Sequence, residues 1–191
     1  MAHNALLAGG LLMLIVLVLA HLQPAELLHP SRRTQLAAGL AGGVVSALVL
    51  AVLRLNAPEL GVAAYPTATA FMGLYFGGLA SVVTAAVAMA AVLWLDDSAG
   101  WAAHLVLAGA GALGALWRRM DQRPGVNPWA VMTGMALTLP PVVALCLVAS
   151  GEAPLPQATA GWVQQLPWYH GMGILVLGAG RQLLASLSVR W

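Results

Sequence analysis

The chain has 191 residues, the length of one domain, and is 61% hydrophobic and only 7% charged, with a formal net charge of +2. All eight basic residues are arginines at the ends of apolar runs, which excludes a nucleic-acid-binding surface and leaves the sequence as an all-α polytopic transmembrane helical bundle. Residues 1–191 read as a single transmembrane domain of six or seven helices, multi-pass in a bacterial inner membrane.

The first segment, 5–22, has the apolar core of a signal peptide but neither a basic start nor a clear small-residue cleavage site, so it reads as a retained helix. A second segment covers 35–54. The stretch 61–95 is 35 residues long and almost uncharged. As one helix it would rise about 52 Å, well beyond a hydrocarbon core of about 30 Å. Gly77-Gly78 near its middle favours a reversal, giving segments 61–76 and 79–95. Segments 100–117, 128–150 and 165–187 complete the set, the sixth carrying Pro140-Pro141 at mid-membrane.

Two crossings within 61–95 place Arg32, Arg33, Arg118, Arg119, Arg123 and Arg190 on one side, with Arg181 nearer that side and Arg54 opposite. Basic loops stay cytoplasmic, so the N-terminus is expected outside and the C-terminus in the cytoplasm. Glu59, Asp96, Asp97 and Glu152 then fall outside, with Glu26 and Asp121 inside. Gly73 and Gly77 form a GxxxG pair, and Gly109, Gly111 and Gly114 give segment 100–117 a small-residue face for helix packing. Cys146, alone in an apolar run, reads as a small buried hydrophobe.

Polar side chains at membrane depth are the candidates for function. Tyr65, Thr67 and Thr69 flank Pro66 at the start of the third segment, where the threonines either face a ligand or bond back to their own backbone. Trp94, Asp96, Asp97, Trp101 and His104 gather around the next outer turn, and Trp162, Trp168, Tyr169 and His170 open the last segment on the same side. Tryptophans at that depth ordinarily form an interfacial belt. Arg54, the outward arginine, is either an anion receptor or a snorkelling helix-end residue. The ligand-binding candidates are Arg54, Tyr65, Thr67, Thr69, Trp101, His104, Trp168 and His170. Five scattered histidines, none with a second at i+4, and the lack of any nucleophile or phosphate-loop motif speak against an enzyme; no cofactor or metal is expected.

Three stretches resemble the LytS-type five-transmembrane receptor module of some histidine kinases and diguanylate cyclases. They are Arg33 to Gly43, with its glycines at 39, 42 and 43; Ala70 to Ala80, with Gly73, Gly77 and Gly78; and Leu166 to Gly173, followed by Arg181. The resemblance implies a sensor domain that signals through its cytoplasmic C-terminal end. The module carries an acidic residue and an arginine near Ala64-Tyr65, and a cytoplasmic catalytic domain that has no counterpart within these residues. Tyr65 to Gly77 is also similar to the His-Pro-Thr-Gly-Thr stretch of substrate-binding components of energy-coupling-factor transporters. There the histidine binds metal; tyrosine is a poor ligand for nickel or cobalt, which argues against a metal here. The expected partners are thus the lipid bilayer, signalling or transport subunits and a small-molecule ligand, with a structural membrane subunit as the third reading.

Overall fold

The computed structural model describes residues 30–56, 61–95 and 101–151, together with Ile174 and Ala179; of 52–56 and 61–65 it describes the helical backbone alone. Among the described residues, five helices with described bounds follow one another: α1 Arg32–Asn56, α2 Gly61–Phe76, α3 Gly78–Leu95, α4 Trp101–Asp121 and α5 Pro128–Ala149. Among the described residues there is no strand. Segment 5–22 lies outside the described residues, as does 165–187 apart from Ile174 and Ala179, both helical. Ile174 is fully buried.

Local chemistry explains the helix ends. Ser31 Oγ accepts from the Thr34 amide at 3.2 Å and so caps α1. Asn127 accepts from the Trp129 amide at 2.9 Å, with Pro128 in the first turn of α5, where its missing N–H costs nothing. Among the described residues, three stretches are long and apolar enough to cross a membrane: Arg32–Ala51, Gly78–Leu95 and Pro128–Ala149. Helix α2 has 16 residues, a rise of about 24 Å, and every residue from Pro66 to Gly77 is buried. It occupies the middle of the bundle, a position that suits a helix apolar on all sides.

The break in 61–95 falls at Gly77, whose φ of +96° only glycine adopts freely. Its amide donates to Gly73 O at 3.2 Å and its carbonyl accepts from Ser81 N at 3.1 Å, so one residue joins α2 to α3. The two helices lie alongside each other, because Met72 and Thr84 both press on Gly42 of α1. Gly39 meets Ala80 and Gly43 meets Val87, so α1 and α3 run parallel. Gly73 packs on Gly111 and Ala115, while Gly109 meets Val142 and Cys146. These pairings make each helix antiparallel to the next. Gly77 therefore shares one end of the bundle with Gln35 and Arg118, and the described arginines Arg32, Arg33, Arg118, Arg119 and Arg123 gather there.

Glycine permits close backbone approach across these contacts. A Cβ on Gly73 would stand 3.0 Å from the Ala115 amide nitrogen and 3.1 Å from Gly111 O, and one on Gly114 would overlap the Ala70 carbonyl. Thr84 Oγ1 donates to Gly39 O at 3.0 Å across the α1–α3 contact. The expected single glycine face of α4 is two faces. Gly111 and Gly114 turn to α2 and α3, while Gly109 turns to α5. At about 100° per residue, Gly109 and Gly111 stand roughly 200° apart on the helix.

Outward side chains are apolar. Leu36, Leu40, Val44 and Leu48 form an exposed stripe along α1, with Val82 and Leu93 on α3 and Leu137 and Leu145 on α5. So much exposed apolar surface marks a membrane or protein contact.

Candidate functional site

The sequence candidates separate into two environments at the end of the bundle opposite the arginines. Thr67 and Thr69 are buried on α2, and neither is without a partner. Pro66 lies inside α2 as its sixth residue, so the helix lacks one internal amide donor just before the threonines. Thr69 presents its methyl group towards Gly111 of α4. Trp101, by contrast, is 56% exposed at the first residue of α4, and Trp94 at the end of α3 is 86% exposed. Both have the exposure of interfacial aromatics. His104 is half-buried one turn into α4. The structure thus gathers Thr67 and Thr69 in the interior and leaves Trp101 on the surface.

Tyr65 lies on the α2 helix just before Pro66, and Arg54 lies in the last turns of α1; their side chains are outside the described residues. Trp168 and His170 are outside the described residues altogether. Asp96 and Asp97 are likewise outside them.

Arg118 is the polar group that the segment boundaries concealed. Helix α4 continues four residues past the expected end at 117, and its last turns carry Arg118 and Arg119. Arg118 Nη1 donates to Leu74 O at 3.1 Å and also to Tyr75 O. These are among the last carbonyls of α2, which the turn at Gly77 leaves without helical donors. A cation from the neighbouring helix satisfies them and meets the negative end of the α2 dipole. The signal in the sequence is the pairing of a helix-ending glycine with an arginine over 40 residues away, which no local spacing reveals.

Two further hydroxyl contacts knit the interior. Trp117 Nε1 donates to Thr138 Oγ1 at 2.9 Å, and Thr138 in turn donates to Gly134 O at 2.8 Å, two turns before Pro141. Phe71 and Tyr75 meet on α2 as a tilted ring pair, with centroids 4.4 Å apart and planes at 58°. Among the described residues there is no group of three or more histidine, cysteine or carboxylate side chains able to hold a metal.

No protein-family model matches the chain, and neither a curated protein nor a solved structure matches it.

Proposed function

We propose that the chain is a bacterial inner-membrane sensor module that takes a small ligand at its outer end and reports it at its cytoplasmic end. The supporting observation is the course of α2. That helix is buried from Pro66 to its end at Phe76, carries the buried threonines near its middle and ends on the Arg118 clamp. A ligand held better in one packing of this helix than in another shifts the balance between them. Because the α2–α4 contact at Gly73 and Gly114 sets backbone against backbone, a displacement of α2 along that contact is passed to Arg118 and the adjoining turn more readily than it is absorbed by side chains.

In this reading the arginine end is cytoplasmic. The expected result is that a cysteine at the exposed Gln122, in a Cys146→Ala background, reacts with a membrane-impermeant maleimide only in inverted vesicles. Labelling in right-side-out cells would reverse the orientation.

Purification from the native membrane in a gentle detergent, with mass spectrometry of what is retained, tests the function itself. A histidine kinase, a cyclase or a longer form of this chain is expected. An ATPase pair with a scaffold subunit would instead establish a substrate-binding transport component, and fixed-ratio membrane subunits a structural role.

A further inference from the structure

A lateral groove of about 420 Å3 runs between α3 and α4, its floor made of Gly78, Ser81, Ala85, Gly111 and Ala115. Its rims, Val82 and Ala86 on α3 and Ala108 and Ala112 on α4, are exposed on the outside of the bundle. Three features occur in order along it. The body is apolar. Towards the arginine end sits Ser81, 3% exposed, whose hydroxyl faces Gly111 and has no hydrogen-bond partner among the described residues. A buried hydroxyl without a partner is costly, so an acceptor in the groove would be favoured.

Beyond the groove's end lies Arg119. It stands four residues past Ala115, and Ala108, Ala112, Ala115 and Arg119 share one helix face. Arg119 is exposed and forms no ion pair or hydrogen bond among the described residues. Asp121, two residues on, projects from a different face. Arg118, beside it, is engaged with α2.

We propose that this groove holds one phospholipid, with an acyl chain along Ala85, Ala86 and Ala108, an ester carbonyl accepting from Ser81 and the phosphate on Arg119. The inference rests on the membrane-spanning part of the reading above. From Gly111, level with Ser81, to Arg119 is about 12 Å along α4, a span that a glycerol ester, its phosphate and an arginine side chain together bridge. Apolar body, buried donor and terminal cation occur in the order of acyl chain, ester and phosphate. A transmembrane helix from a second copy would match the apolar body alone.

Native mass spectrometry of the delipidated full chain, titrated with phosphatidylglycerol and with diacylglycerol of the same acyl chains, tests it. One phosphatidylglycerol is expected to be retained well above any others, and diacylglycerol about tenfold less. Arg119→Gln is expected to remove that tenfold preference, Ser81→Ala to weaken both lipids two- to threefold, and Ala112→Leu or Ala86→Leu to fill the groove and abolish retention of both. Arg33→Gln, at the same end on α1, is expected to change nothing. Equal effects of Arg33→Gln and Arg119→Gln, or unchanged retention in both groove-filling variants, would overturn the proposal. So would a wild-type dimer that Ala112→Leu dissociates, since a second copy would then occupy the groove. Recovery of the chain in the soluble fraction without detergent would instead refute the membrane reading itself.

Discussion

Gly114→Ala is expected to lower the stability of the bundle by about 3 kcal/mol, at the upper end of the usual cost of overpacking. The added methyl group would overlap the Ala70 carbonyl oxygen, a backbone atom that no rotamer change can move aside. Helices α2 and α4 would have to separate, and Gly73, which rests on Gly111 and Ala115 in the same contact, would lose its neighbours too. In a bilayer that loss has no hydrophobic compensation, because association depends on close packing of small residues. Gly78→Ala is the control: a Cβ there meets nothing within 4 Å, and no comparable loss is expected. Denaturation of the detergent-solubilised protein with increasing sodium dodecyl sulfate measures the difference. Equal stability of the two variants would mean that the α2–α4 contact is looser than described.

Arg118→Gln is expected to cost roughly 2 kcal/mol, from the loss of a charge-assisted donor shared by two carbonyls. The Leu74 and Tyr75 oxygens sit beside a turn that supplies no substitute. Arg118→Lys retains the charge but presents one compact ammonium in place of the planar fork, so an intermediate loss is expected. Hydrogen exchange separates this effect from a general loosening. Faster exchange is expected at the amides around Phe76 to Ser81, with the α4–α5 contact at Gly109 unaffected. Uniform acceleration across all five helices would show that Arg118 supports the whole bundle and not the end of α2 in particular.

The order of the helices between residues 32 and 149 was legible in the sequence, because the features that set it are local, whereas only three of the expected spans are long and apolar enough to cross a membrane among the described residues. Length, the glycine pair at 77–78 and the side-counting of arginines led to a two-crossing reading of 61–95, and the structure turns at Gly77. What local spacing could not show was pairing. Gly73 and Gly77 look like one motif, yet Gly73 serves a helix contact and Gly77 a turn. Arg118 reads as a membrane-surface charge until α2 is placed beside it. Ser81 and Thr84 are single hydroxyls in an alanine- and valine-rich run. Thr84 gains a role only from Gly39 O on α1, and Ser81 only from the groove it lines. The candidate site was legible as a set of residue types but not as an arrangement: Thr67 and Thr69 are interior and Trp101 is not.

The single-residue joint at Gly77 also constrains how the protein is made. With no loop between them, α2 and α3 can only fold back on each other as a hairpin, so the two are expected to form as a pair. The α2 surface that will receive Gly114 is then complete before α4 has been synthesised, a delay on the order of seconds at ~5–20 residues per second. Until α4 arrives, the Ala70 and Gly73 backbone lacks the neighbour that covers it in the finished protein, where α2 is buried from Pro66 onward.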